Sequence, residues 1–305
     1  MNLCIKSIFN HQKSHKVHHL ISDIACRLDG VSDSSLLDAQ VILAHVMGKT
    51  RSWILAHPEE YPSSYQLTDL KIALEQLERG VPLPYVIGHW EFYGFDFKLT
   101  PDVLIPRPET EILVEEALNW LQNHSDKRIA MDVGTGSGCI AVTLLKKIHN
   151  LRVTATDISV KALKVAQTNS REHGVHMRNN FICTNLIGSI YRDQSIDLIC
   201  ANLPYIPINT LYSLDVYNRE PYIALSGGLN GLDKIQSLLE TAPYVLSKKG
   251  LILLEIDADQ GELVINMAKD AFPESRIHLI QDFSGNDRVV KIDNSNIPQR
   301  MTVSK

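Results

Sequence analysis

The stretch "DVGTGSGC", Asp132 to Cys139, closes an apolar strand pattern and opens a helical one. Glycines at 134, 136 and 138 let the backbone turn sharply and let a ligand lie against main chain where any Cβ would collide. A dinucleotide fingerprint would need glycine at 139; Cys139 stands there, and the third glycine comes one residue early. The next strand pattern, "RVTATD", ends on Asp157, about twenty residues beyond the loop, where a carboxylate can accept both hydroxyls of a ribose. Capping the helix that opens at "ISVKALKVA" is the competing role for Asp157. A second stretch, "CANLPYIP", ends another apolar strand pattern on an amide, a proline and a ring. Asn and Pro are ordinary strand terminators, so a plain turn would explain it. What surrounds it has to decide.

Those residues need a frame. From Val17 to Arg79 the pattern is helical: "SDSSLLDAQVILAHVMG" carries Leu36, Leu37, Val41, Ile42 and Val46 at helical spacing and Gly48 as a stop, and "SSYQLTDLKIALEQLERG" carries Leu67, Leu70, Ile72, Leu74 and Leu77 before Gly80. From Val81 the texture turns to Pro, Gly and aromatics, with one or two short strands expected in "FYGFDFKLT". After the amphipathic "ILVEEALNWLQNH", strands and helices alternate, which means a mostly parallel sheet covered on both faces. "RIHLIQDFSGNDRVVKID" reads as an antiparallel hairpin closing the sheet edge. The expected domains are a helical residues 1–80, with 1–16 a disordered tail, a connector 81–105, and an α/β domain 106–305.

A chain of 305 residues can bury a sizeable core. Its net charge of -5 argues against a protein that lives by gripping phosphates. Cys4, Cys26, Cys139, Cys183 and Cys200 are scattered without metal spacing, so they are expected reduced and buried in a cytoplasmic protein with no metal. No apolar run reaches the ~20 residues that span a bilayer, and the start lacks a signal-peptide pattern.

Asp-x-Gly-x-Gly-x-Gly with an acid ending the next strand resembles the class I S-adenosylmethionine-dependent methyltransferases. The resemblance implies their Rossmann-like α/β sheet, here with a small N-terminal all-helical domain and a β-hairpin connector. It implies S-adenosylmethionine as cofactor, held by Asp132, Gly134, Thr135, Gly136, Ser137, Gly138, Asp157, Leu186 and Asn202. A nicotinamide dehydrogenase is the alternative that Cys139 counts against. In this fold the strand before Asn202 ends where the strand order reverses, and Asn202-Leu203-Pro204-Tyr205 is similar to the Asn-Pro-Pro-Tyr motif of methyltransferases acting on nitrogen conjugated to a π-system. Such a lone pair is delocalised and attacks carbon poorly. Two acceptors, the Asn202 side-chain oxygen and the main-chain carbonyl of Leu203, would grip the NH2 hydrogens and aim the nitrogen, and Tyr205 would cover the flat face. Leu203 departs from the family's proline; Pro204 still pushes its neighbour to extended backbone, so the carbonyl acceptor survives with less preorganisation.

Three further stretches resemble the peptide chain release factor glutamine methyltransferases: "VLIPRPETEILVEEAL", "EPYIALSGGLNGLDKI" with Asn230 where the family has an acid, and "GVPLPYVIGHWEFYG"; the closing "GNDRVV" also fits. The resemblance runs from about Val17 to Asp293. It implies methylation of the glutamine in the Gly-Gly-Gln motif of release factors, with Asn202 to Tyr205 catalytic and Pro106, Arg107, Pro108 and Glu109 joining them around the glutamine. It also implies a protein partner docked by the helical domain, with no nucleic acid and no membrane, and a monomer is the expected form. Turn stiffening by the prolines, helix-dipole roles for Glu109 and Glu111, and a helical domain that only stabilises the sheet are the competing readings. An adenine or guanine amino methyltransferase, and a cofactor-binding module without catalysis, are the alternative functions.

Overall fold

The computed structural model describes residues 15–188 and 193–294. Cys4 and most of the expected N-terminal tail lie outside the described residues. The chain divides into two compact units, 1–89 and 90–305.

The first unit is helical: α1 Val17–Leu28, α2 Ser35–Met47, α3 Arg51–Ala56, α4 Ser64–Glu78 and α5 Leu83–Ile87. Local chemistry sets the ends. Ser63 and Gln66 form a capping box at the start of α4, Thr50 Oγ1 accepts from Trp53 N at α3, and Gly48, at φ 62, stops α2. The buried stripe of α2 runs through Ala39, Ile42, Leu43 and Met47, and that of α4 through Leu70, Ala73, Leu74 and Leu77. Three apolar residues assigned to these stripes are instead exposed. Leu36 and Leu37 sit in the first turn, ahead of the stripe, and Ile72 lies two residues from both Leu70 and Leu74, on the opposite side of its helix. The segment "VPLPYVIG", expected in a connector of short strands, forms α5, because Pro84 falls in the first turn where no N–H is needed.

The second unit holds a hairpin of β1 His89–Phe92 and β2 Phe95–Lys98, turned through Tyr93 and Gly94, both at positive φ. Glu111 Oε1 accepts from Tyr93 N at 2.8 Å, so this carboxylate anchors the hairpin. The main sheet has seven strands: β3 Ile129–Val133, β4 Arg152–Asp157, β5 Asn179–Cys183, β6 Ile196–Ala201, β7 Leu246–Glu255, β8 Arg276–Gln281 and β9 Asp287–Asp293. Their order is β5-β4-β3-β6-β7-β9-β8, parallel through β7 and antiparallel at the β9 and β8 edge. The connecting helices are α6 Thr110–Asn123, α7 Cys139–Lys147, α8 Val160–Glu172, the short α9 Ile208–Leu211 and α10 Tyr222–Leu225, then α11 Asp233–Thr241 and α12 Gly261–Ala271.

Strand alternation splits the core in two. Leu198, Cys200, Leu251 and Leu253 face α6 and α7, while Ile199, Ala201, Ile252 and Leu254 face α11 and α12. The order reverses between β3 and β6, whose ends are paired at Val133 and Ala201, so the loops beyond those ends share one crevice. The expectation of five buried, reduced cysteines fails at two described positions. Cys183 and Cys26 are exposed; Cys26 lies off the buried stripe of α1, which runs through Leu20, Ile21, Ile24 and Leu28. Among the described residues no helix is long and apolar enough to cross a membrane, and no group of residues could hold a metal ion.

Candidate active site

The glycine loop is tied to the next strand: Gly134 N and Thr135 N both donate to Thr156 O at 2.9 Å. Gly134, Gly136 and Gly138 all take positive φ, of 73°, 54° and 81°. They do different work. A Cβ on Gly134 would lie 3.1 Å from Leu203 Cδ2, so this glycine lets the loop meet the end of β6. One on Gly138 would lie 3.0 Å from Ala166 Cβ, so that glycine lets α8 pack close. Asp132 braces the loop from behind, accepting from Thr135 Oγ1 at 2.6 Å and Ala141 N at 3.2 Å. Complete burial lifts its carboxyl to about 6 against those two bonds.

Asp157, at the end of β4, accepts from Gly136 N at 3.0 Å and Ser159 N at 2.8 Å. Burial raises its carboxyl and the backbone donors oppose the rise. The cap of α8 is Ser159, whose hydroxyl accepts from Ala162 N. Capping therefore does not account for Asp157. Each of its oxygens keeps a further lone pair for a ligand hydroxyl.

Beyond β6, Asn202 Nδ2 donates to Thr110 Oγ1 at 2.9 Å. Thr110 opens α6 and is buried, as is Glu255 at the end of β7. Leu203 fills space against Gly134 within the core under α11, which is what its side chain contributes in a place where proline would leave a smaller ring. The loop of Gly227 to Gly231 clamps the segment from outside. Gly227 N donates to Ile206 O at 2.9 Å, Ile206 N to Leu225 O at 3.1 Å, and Gln260 Nε2 to Tyr205 O at 3.0 Å. A Cβ on Gly227 would stand 2.7 Å from Pro204 O, and one on Gly231 2.2 Å from Tyr205 O. Backbone this close excludes any side chain. Arg107 pairs with the buried Glu220, which also accepts from Ile105 N at 3.1 Å, so this arginine ties the Pro-rich loop to the segment before α10.

These pieces enclose a cavity with about 190 Å³ open to water, far more than the roughly 10–15 Å³ that one water needs. Of the residues singled out in the sequence, Gly134, Thr135, Gly136, Ser137, Asp157 and Leu186 line it. Asn202, Leu203, Pro204, Pro106 and Arg107 line it as well, with Leu203 meeting Gly134. Five fall outside the lining. Asp132 and Gly138 act from behind the loop, and Pro108 and Glu109 are exposed at the approach to α6. Tyr205 is half-buried on the side of Glu255 and Arg288, where burial raises its hydroxyl. Sequence reasoning missed Thr110, Glu255, Glu220 and Gln260. Thr110 and Glu220 stood inside the quoted stretches "VLIPRPETEILVEEAL" and "EPYIALSGGLNGLDKI" without a role of their own, and Glu255 left a signal as an acid closing the apolar strand run "LILLEID".

The cavity fits a nucleoside with a small zwitterionic tail. Gly134 and Gly136 offer bare backbone, Asp157 brings a carboxylate to the lining, and Ile140, Ile158 and Leu186 bring apolar surface to it, which suits a base. Nothing in the loop calls for a phosphate: no lysine stands directly after its last glycine, and that glycine serves helix packing.

Residues 19–88 match the family described as PrmC N-terminal domain, and residues 109–211 the family described as Methyltransferase small domain. The chain is 35% identical over 256 residues to a release factor glutamine methyltransferase of Bacillus anthracis, covering 82% of this chain and 90% of that one. It is 40% identical over 253 residues to one of Moorella thermoacetica, covering 83% and 89%. Among solved structures its fold is similar to that of the 16S rRNA N2 methyltransferase of T. thermophilus in complex with AdoMet and guanosine. That likeness has a TM-score of 0.50 at 13% identity, over 67% of this chain and 49% of that one.

Proposed function

The chain belongs to the release factor glutamine methyltransferase family, and we propose that it methylates the side-chain amide nitrogen of the glutamine in the Gly-Gly-Gln motif of a peptide chain release factor. The observation that carries this reading is the direct meeting of Gly134 with Leu203 and Asn202 across the paired ends of β3 and β6. Donor and acceptor halves share one cavity there. Bound against the glycine loop, S-adenosylmethionine supplies a methyl carbon made electrophilic by its sulfonium.

The chain's own residues do the rest. Asp157 takes the ribose hydroxyls, and Gly134 to Ser137 let the ligand lie on backbone. Asn202 Oδ1 and the Leu203 carbonyl hold the two amide hydrogens, aim the nitrogen at the methyl and favour the positive charge that develops on it. The proton becomes acidic only after transfer and passes to water, so no buried base is required. Pro106 and Arg107, held through Glu220, shape the glutamine side of the cavity. Asp132 and Gly138 support the loop from outside the lining, and Tyr205, held through its carbonyl by Gln260, anchors the segment that carries Asn202. The helical unit docks the folded body of the release factor, with Leu36, Leu37, Leu55 and Ile72 exposed for contact. On this reading the protein works in the cytoplasm as a monomer on a protein substrate, a choice that its net charge of -5 favours over nucleic acid.

The test is a competition. Labelled S-adenosylmethionine is offered with a release factor, a DNA duplex and a tRNA, and the labelled product is mapped by mass spectrometry. Label on the Gly-Gly-Gln peptide is the expected result. Label on nucleic acid, or none anywhere, overturns the reading.

A further inference from the structure

We propose that Glu255, acting with Thr110, is the positioning residue that decides which end of the Asn202 amide faces the cavity. The inference rests on the function proposed above, in which Asn202 must present an acceptor. A half-turn about the last side-chain torsion would present its NH2 instead, and an NH2 facing the substrate's NH2 repels it. Something must choose between two shapes that are nearly the same.

The surroundings make the choice. Ala201 pairs with Leu254 in the register of β6 and β7, which brings Asn202 beside Glu255 one residue further on. Asn202 Nδ2 already donates to Thr110 Oγ1 at 2.9 Å. A hydroxyl has one hydrogen, so Thr110, having accepted, turns its own toward another acceptor. Glu255 supplies it. Its side chain is 1% exposed, both carboxylate oxygens lack any partner of full hydrogen-bond geometry, and Thr110 and Asn202 stand close enough to favour its ionised form. An ionised carboxylate can only accept. The groups behind Asn202 therefore draw its NH2 end inward and leave Oδ1 for the cavity.

Protonation would undo this, because a carboxylic acid also donates and would tolerate the flipped amide. Burial raises the Glu255 carboxyl to about 7; Thr110, Arg288 on β9 and Asn202 oppose the rise, and Glu109 adds to it. Two other titratable groups face Glu255: Tyr205 beyond β6, which burial raises, and Cys139 at the start of α7, pushed by burial to about 12.

Glu255→Gln is the informative variant, since an amide of the same shape can donate at every pH. With a release factor as substrate, kcat should fall about ten- to a hundredfold, the range for losing a charge-assisted bond, while the affinity for S-adenosylmethionine by calorimetry changes less than about threefold. Wild-type kcat should rise with pH through about 7, and the variant should lose that limb. Thr110→Val should behave like the variant and Thr110→Ser like wild type. The Asn202 side-chain amide protons, followed by NMR in protein labelled with 15N-asparagine, should shift with pH through the same range in wild type only. Wild-type kcat and pH profile in Glu255→Gln, or a fall matched by lost donor binding, overturns the proposal. A wild-type enzyme that labels no release factor would refute the proposed function instead, and the NMR titration would still decide the role of Glu255.

Discussion

Replacing Glu255 by glutamine should make the protein more stable while making it a worse enzyme, and the size of the first effect follows from burial. Glu255 is 1% exposed, and its carboxyl rises from an ordinary 4.5 to about 7 because the charged form is stripped of water there. An acid whose folded value lies above its unfolded one holds its proton more tightly when folded. The stability this gives is fully present below 4.5 and is lost as pH rises through about 7. At ~1.4 kcal/mol for each tenfold in proton affinity, the gap between those two values amounts to about 3 kcal/mol. Glutamine is neutral throughout. The stability difference between variant and wild type should therefore move in favour of the variant by about 2 to 3 kcal/mol between pH 5 and pH 8.5, most of that gap. Asp132, lifted to about 6, titrates over the same range but in both proteins, so it cancels in the difference. The assay is urea unfolding of both proteins at the two pH values, with equal slopes required so that midpoints compare like with like. A difference that stays within ~0.5 kcal/mol across that range would mean that Glu255 is not a desolvated carboxylate, and the reasoning from burial would be refuted.

Asn202→Ala should lower turnover about a hundredfold or more, as loss of a transition-state hydrogen-bonding group does, with donor binding nearly intact; substantial residual turnover would remove Asn202 from the chemistry. Asp157→Asn should weaken S-adenosylmethionine binding by calorimetry at least about tenfold, since the two ligand hydroxyls lose their anionic acceptor; binding within twofold of wild type would contradict the ribose role. Gly231→Ala should cost most of the activity without touching the cavity lining, because its Cβ would stand 2.2 Å from Tyr205 O at a φ of 75° and must displace the segment carrying Asn202. Wild-type kcat in the Gly231→Ala variant would show that the clamp does not position that segment.

Much of this protein is written in its sequence. Short, nearly continuous apolar runs alternating with helical ones dictated a parallel sheet covered on both faces, because each strand's two sides must both be buried. The glycine loop and the acid ending β4 were legible for the same local reason: positive φ and a strand-terminal carboxylate are needs that neighbouring residues reveal. Asn202 was legible as an oddity, a polar amide where a strand should have continued. Other features were not local. The helical pattern did not tell which residues of α2 and α4 would be covered, so Leu36, Leu37 and Ile72 went to the wrong side. Arg107 gave no sign that its partner would be Glu220, far along the chain.

The orientation of Asn202 belongs wholly to the tertiary structure. Thr110, Asn202 and Glu255 come from the start of one helix and the ends of two strands, and nothing in the sequence around any one of them says that the three meet. Sequence determined that an amide would stand at the crevice, since that choice is encoded where the chain leaves the strand. Only the packing of α6 over the ends of β6 and β7 could decide which of its atoms faces inward, because rotation about a side-chain bond is set by neighbours in space and not by neighbours in the chain.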